Sequence, residues 1–106
     1  MSRKLESLRA VLGDSCRAIG DGLSLAVAIT DTELVTAKPK LFGGVTLTRY
    51  PLSDVTAIEH VPNPTANRLT IRLRGGSVQQ LYGAEEARAH ESIMALLHDR
   101  LRSTAA

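Results

Sequence analysis

Between Leu23 and Tyr82 the sequence alternates apolar and polar residues in short runs, and turn-forming residues interrupt these runs at near-regular intervals. The clearest run places one set of side chains on one face and a second set on the other: Leu23, Leu25, Val27 and Ile29 against Ser24, Ala26, Ala28 and Thr30. A period of two is that of a β-strand with one face on the core, and a helix cannot satisfy it. The alternation therefore predicts a small antiparallel β-structure.

The same pattern predicts seven strands, at residues 14–19, 23–29, 34–37, 45–50, 55–61, 68–74 and 77–82. Pro51 and Pro62 end two of them, because proline has no amide hydrogen to donate to a neighbouring strand. Glycines at 43–44 and 75–76 supply residues that turn readily. In the sixth strand, Leu69, Ile71 and Leu73 are expected inward, and Arg68, Thr70, Arg72 and Arg74 outward.

Helical periodicity flanks the strands on both sides. At the N-terminus, Leu5, Leu8 and Leu12 share one stripe before Gly13, which predicts a short amphipathic helix over residues 1–12. A helix of this length is marginal in water, so its stripe must pack on the sheet or on a second copy of the chain. At the C-terminus, residues 84–101 predict a helix that covers the open end of the β-structure through Ile93, Leu96, Leu97 and Leu101. We expect a domain over residues 13–102 and a frayed tail at 103–106.

Composition excludes several classes of function. A chain of 106 residues that is 43% hydrophobic suits one domain, and a single cysteine, Cys16, allows no internal disulfide. We find neither a secretion signal nor an apolar run of the roughly 20 residues that span a bilayer, so we expect a cytoplasmic protein. The formal charge is only +2 and there are three aromatic residues, which argues against a nucleic acid partner.

The order of elements and several turn segments resemble the bacterial pleckstrin-homology-like (PH-like) domain family. The matching segments are residues 28–35 (AITDTELV), 41–44 (LFGG), 51–58 (PLSDVTAI) and 69–71 leading to Gly75 and Gly76. The resemblance covers residues 13–101. It implies a mainly β fold with α: a seven-stranded antiparallel split barrel closed by one C-terminal helix. It also implies an interaction module, since bacterial relatives are often assembled from many copies or fused to other modules.

The chain departs from eukaryotic PH domains at two places. It has no tryptophan in the closing helix, and its first turn is Gly20, Asp21 and Gly22 instead of a basic run. The inositol phosphate ligand of those relatives therefore does not carry over to this chain. No cofactor is implied.

Residues 38–44, which we call the basic hairpin, are the first candidate site. Lys38 and Lys40 could contact an anionic membrane surface while Phe42 reaches the acyl boundary, at about 1 kcal/mol per basic residue. The alternative is that Leu41 and Phe42 cap the core and the lysines are merely solvated. A second candidate, an anion-binding patch of Arg49, Arg68, Arg72 and Arg74, competes with cross-strand pairing of these arginines to Glu33 or Glu59.

Catalytic and metal-binding patterns are not evident. His60, His90 and His98 are too far apart in sequence for ligand spacing, and neither a base nor an electropositive niche accompanies Cys16. We therefore expect no metal and no enzymatic activity. The expected function is a non-enzymatic interaction module that associates with itself through Leu5, Leu8 and Leu12. The alternatives are a monomer whose first helix folds back on its own sheet, and a peripheral binder of membranes or anionic ligands.

Overall fold

The computed structural model describes residues 2–105, with the side chains of residues 2–103. Its elements are helix α1 (Arg3–Leu12), seven strands and helix α2 (Ala87–Ala105). The strands are β1 (Ala18–Gly20), β2 (Ala26–Ile29), β3 (Glu33–Pro39), β4 (Val45–Pro51), β5 (Val55–Val61), β6 (Asn67–Leu73) and β7 (Gly76–Tyr82). Short 3₁₀ turns precede β1, β5 and α2.

The seven strands form two antiparallel sheets. Strands β1 to β4 pair in sequence order, and so do β5 to β7, with one irregularity between Val55 and Ala57. The predicted combination of antiparallel strands with an N-terminal and a C-terminal helix is confirmed. Within the described residues the sheets do not join into one closed barrel, so the PH-like split barrel stays a prediction. A backbone bond of 2.8 Å from the Leu23 N–H to the Leu81 carbonyl connects the β1–β2 loop to the second sheet.

The main core lies between the two sheets and α2. Its buried members come from both sheets and from the helix: Ala18, Val27, Ile29, Leu34, Leu52, Val55, Leu69, Ile71, Val78, Tyr82, Ile93 and Leu97. The helix stripe is narrower than the sequence predicts, because Leu96 remains partly exposed. α2 thus packs against strands of both sheets and contributes Ile93 and Leu97 to the core.

A second apolar cluster lies on the outer face of the first sheet. Leu8 and Leu12 of α1 are buried there against the small side chains of Ala26, Ala28 and Ala37. Alanines let a helix approach a sheet closely, and β2 is consequently buried on both faces. The stripe of α1 is therefore covered by the chain's own sheet, the fold-back arrangement that the sequence left open.

Several predicted boundaries are wrong. β2 begins at Ala26, not at Leu23, because the Leu23 N–H donates to the Leu81 carbonyl of the second sheet. The backbone at Leu23 is therefore not paired with β1 or β3. β1 begins at Ala18, after a 3₁₀ turn over Gly13–Ser15. Thr70, expected on an outward face, is buried in the central strand of its sheet. α2 continues to Ala105, so the segment predicted to fray is helical through residue 105, while Ala106 lies outside the described residues.

Candidate functional site

The basic hairpin extends beyond the rest of its sheet. β2 begins opposite Ala37, whereas the β3–β4 pairing continues through Lys38 and Pro39. Two further residue pairs at about 3.3 Å each lengthen the ribbon by roughly 7 Å before the connecting loop starts. The loop is closed by a bond of 3.0 Å from the Lys40 N–H to the Gly44 carbonyl. The hairpin is therefore a projection that β2 does not flank.

Two glycines shape the end of this projection. Gly43 and Gly44 have φ angles of 102° and 82°, a region that side chains with a Cβ rarely adopt. With the chain reversed by these glycines, the side chains of Leu41 and Phe42 stand at the apex. Leu41 is 89% exposed and Phe42 is 97% exposed. The alternative in which they cap the core is wrong.

All charged side chains in the basic hairpin and the strands beside it, residues 34–53, are basic. No aspartate or glutamate occurs between Glu33 and Asp54, a stretch that contains Lys38, Lys40 and Arg49. Arg49 is already paired, because its guanidinium lies 2.8 Å from the Glu33 carboxylate. The two lysines are exposed, and both precede the two exposed apolar side chains at the apex.

The arginine patch is mostly paired across strands. Besides the Arg49–Glu33 pair, Arg72 donates to Glu59 at 2.7 Å, and this bond holds the pKa of the Glu59 carboxyl below its usual value. Both pairs lie on solvated surfaces, where an ion pair contributes little to stability. The pairing predicted for Arg49 and Arg72 is confirmed, and Arg68 and Arg74 remain exposed on β6 and just after it.

The leucine stripe is not an exposed surface in this structure. Leu8 and Leu12 are buried between α1 and the first sheet, and Leu5 is partly buried in the same cluster. Self-association through these three side chains would require α1 to leave the sheet. The large apolar side chains that remain exposed lie elsewhere: Val11, Leu23, Leu41, Phe42, Val61, Leu81 and Leu96.

The histidines lie in three different environments. His98 is exposed on α2, and His60 bonds through Nε2 to the Tyr82 hydroxyl at 2.8 Å. His90 is fully buried, with Nδ1 2.8 Å from the Glu86 carbonyl. Among the residues that the structure describes, no group of three or more His, Cys, Asp or Glu is placed to hold a metal ion.

Cys16 lies next to the outer cluster under α1. Burial raises the pKa of its thiol, which reduces the fraction of reactive thiolate. An activated nucleophile needs the opposite shift. Its Sγ bonds to the Ala18 carbonyl at 3.4 Å, a local structural contact.

The sequence interpretation missed a buried polar cluster at the same end of the sheet as the basic hairpin. Gln80 and His90 are both fully buried, and neither the Gln80 amide nor His90 Nε2 has a hydrogen-bond partner among the described residues. Gly20 and Gly22 lie directly against them, since a Cβ at Gly20 would come within 2.8 Å of the His90 ring. The sequence does indicate that Gln80 is buried, because it alternates with Val78 and Tyr82 on one face of the strand.

Hydrogen bonds and an ion pair connect the β1–β2 loop, beside this cluster, to α1 and to the start of the C-terminal helical segment. Lys4 of α1 donates to the Gly22 carbonyl at 2.7 Å and pairs with Asp21 at 3.1 Å. The Asp21 N–H donates to Glu86 at the start of the C-terminal helical segment, at 2.8 Å. Burial alone would raise the pKa of the Asp21 carboxyl, but hydrogen bonds from Ser2, Lys4 and the Gly22 N–H together hold it below its usual value.

Comparisons with protein-family models, with curated proteins and with solved structures found no match to this chain. Within the described part of the chain, neither helix is long and apolar enough to cross a membrane.

Proposed function

We propose that the chain is a non-enzymatic PH-like interaction module that associates with further copies of itself through the basic hairpin. The observation that carries the proposal is the apex of this hairpin, where Leu41 and Phe42 are almost fully exposed directly after Lys38 and Lys40. Adjacent exposed apolar side chains on a projecting turn favour a contact surface over a solvated loop. The order of seven antiparallel strands and a C-terminal helix, with an extra helix in front, supports the PH-like assignment.

The distribution of charge favours a protein partner over a lipid surface. Because β2 starts opposite Ala37, the β1–β2 loop lies at the same end of the sheet as the basic hairpin. That loop and its neighbours carry the carboxylates of Asp21, Glu85 and Glu86. This end of the molecule therefore presents both signs of charge, which suits a complementary protein surface and opposes close approach to an anionic membrane.

The expected affinity is low. Burying two large apolar side chains contributes about 3–6 kcal/mol, while association costs at least about 4 kcal/mol in lost freedom of movement. Weak association fits a module that works in several copies, where linkage raises the effective concentration. Measurements therefore need high protein concentrations.

Sedimentation equilibrium over a wide concentration range tests the proposal. The wild-type chain should show a mass that rises with concentration, and the double variant Leu41→Ser with Phe42→Ser should remain monomeric. Val61→Ser is the matched control, because Val61 is an exposed apolar residue on β5, outside the basic hairpin. A wild-type chain that stays monomeric at millimolar concentration contradicts the proposal.

A second candidate function is attachment to an anionic membrane surface, and the same exposed Phe42 beside Lys38 and Lys40 favours it. Two lysines supply about 2 kcal/mol near such a surface, so attachment of one copy would be weak and sensitive to salt. Sedimentation with phosphatidylserine vesicles measures it. The candidate predicts that Lys38→Glu with Lys40→Glu abolishes co-sedimentation, and unchanged binding contradicts it.

A further inference from the structure

An acidic hollow lies beside the β1–β2 loop, at the end of the first sheet from which the basic hairpin projects. It has a volume of about 260 Å³ and is lined by Asp21, Gly22, Leu23, Gly83, Glu85 and Glu86. Its lining contains three carboxylates and no basic side chain, and Lys4 contacts Asp21 and the Gly22 carbonyl from the side of α1. Even with this ammonium group counted, the hollow is negative.

An apolar wall borders the hollow. Leu23 is 70% exposed, and Leu81, which is 37% exposed, lies next to it because their backbones share the 2.8 Å bond that connects the sheets. An exposed leucine pair next to carboxylates is a mixed surface. It can hold an apolar side chain and a basic side chain that lie close together on a partner.

The basic hairpin has this composition. It places Leu41 and Phe42 at its apex with Lys38 and Lys40 on the approach, and it projects beyond β2. The two surfaces are complementary both in apolar character and in sign of charge.

We propose that the acidic hollow receives the basic hairpin of a second copy of this chain. The proposal rests on the self-association proposed above and names the surface that the hairpin contacts. Phe42 of one copy packs against Leu23 and Leu81 of the other, while the lysines approach Glu85 and Glu86. Since each copy carries both surfaces, two copies related by a twofold axis would make the contact twice, and a head-to-tail arrangement would produce a closed ring or an open chain of copies.

Charge reversal provides the test. Glu85 is exposed, whereas the Glu86 carboxylate accepts the Asp21 N–H, so Glu85→Lys changes the hollow with less disturbance of the loop. We expect Glu85→Lys to weaken self-association at least tenfold in sedimentation equilibrium. Glu91→Lys is the matched control, because Glu91 is an exposed glutamate of α2 that does not line the hollow. It should self-associate like the wild type.

Mixing two variants makes the test specific. Lys38→Glu with Lys40→Glu carries an acidic hairpin and an acidic hollow, and Glu85→Lys carries a basic hairpin and a more basic hollow. Each protein alone should associate weakly. In an equimolar mixture the basic hairpin of Glu85→Lys meets the unaltered acidic hollow of the other variant, while the acidic hairpin meets a hollow that is close to neutral when Lys4 is counted. The mixture should therefore associate more strongly than either variant alone. Unchanged thermal unfolding of both variants would establish that they are folded.

The outcomes separate this inference from the proposed function. The hairpin docks elsewhere, and only the inference about the hollow fails, if two results are found together. The hairpin variants lose self-association, while Glu85→Lys associates as strongly as Glu91→Lys and the mixture associates no more strongly than its components. If the wild-type chain is monomeric at millimolar concentration, both proposals fail. A monomeric chain that binds phosphatidylserine vesicles through Lys38 and Lys40 assigns the hairpin to a membrane and also overturns both.

Discussion

The imidazole ring of His90 lies face to face with the phenol ring of Tyr82, with ring centroids 3.7 Å apart and planes within 4° of parallel. The Tyr82 hydroxyl bonds in turn to His60 at 2.8 Å. The His90 Nδ1 faces the Glu86 carbonyl, an acceptor, so Nδ1 carries the proton in the neutral ring. A second proton would have to sit on Nε2, which is buried without a partner among the described residues.

The first prediction is a loss of stability in mild acid. Burial lowers the pKa of His90 in the folded chain below the ordinary value of about 6.5. The unfolded chain therefore binds more protons between these two pKa values, and the free energy of unfolding falls as pH drops below about 6.5. His90→Phe should flatten this dependence in denaturant titrations between pH 5 and 8. His98→Phe, at an exposed position of the same helix, should leave it unchanged, and an equal slope in all three proteins would contradict the assignment.

The second prediction concerns the Gln80 amide. Both of its polar atoms are buried without a partner among the described residues, and a buried unsatisfied polar group costs about 1–3 kcal/mol. Gln80→Met keeps an unbranched side chain and removes the polar atoms, so it should raise the free energy of unfolding by about 1–2 kcal/mol. Gln79→Met on the exposed side of the same strand serves as the control. A clear decrease in stability for Gln80→Met would mean that the amide is satisfied in solution.

The third prediction tests the close approach of the first turn to His90. A Cβ at Gly20 would lie 2.8 Å from Cε1 of the His90 ring, and the stacked ring has little freedom to move. Gly20→Ala should therefore destabilise the fold by about 1–3 kcal/mol, as overpacking does. Gly76→Ala is the comparison, because nothing lies within 4 Å of the position of its Cβ. Similar thermal unfolding of the two variants would rule out the predicted clash.

The fourth prediction concerns coupling between Lys4 and Asp21. Lys4→Met removes the donor to Asp21 and Gly22, which leaves a partly buried carboxylate and a carbonyl without that partner. We expect a loss of about 1–2 kcal/mol in the free energy of unfolding. In a double-mutant cycle with Asp21→Asn, the two losses should be less than additive, because both substitutions remove the same interaction. Strict additivity would show that the two side chains do not interact in solution.

Period-two alternation located six of the seven strands, whereas the strand predicted at residues 14–19 overlaps β1 only at Ala18 and Ile19. The boundary of β2 could not be predicted in this way. Leu23 continues the apolar alternation, but its N–H is taken by Leu81 of the other sheet, a partner 58 residues away in sequence. A local pattern carries no information about such a partner.

The candidate site was harder to predict for a related reason. An apolar pair in a turn, such as Leu41 and Phe42, is compatible with a capped core or with a projecting apex, and only the relative lengths of β2 and β3 decide between them. His90 was more accessible to prediction, since it precedes Ile93 by three residues and Leu97 by seven. That spacing places it on the buried face of α2.

The small side chains on the outer face of the first sheet have an effect beyond packing. Ala26, Ala28 and Ala37 set how closely α1 approaches, and α1 carries Lys4, whose ammonium group offsets one carboxylate beside the acidic hollow. A larger residue at one of these alanines would lift the helix and draw Lys4 away from Asp21. The electrostatic potential of the hollow thus depends on how α1 packs against the outer face of the sheet, because that packing sets the position of the Lys4 ammonium group.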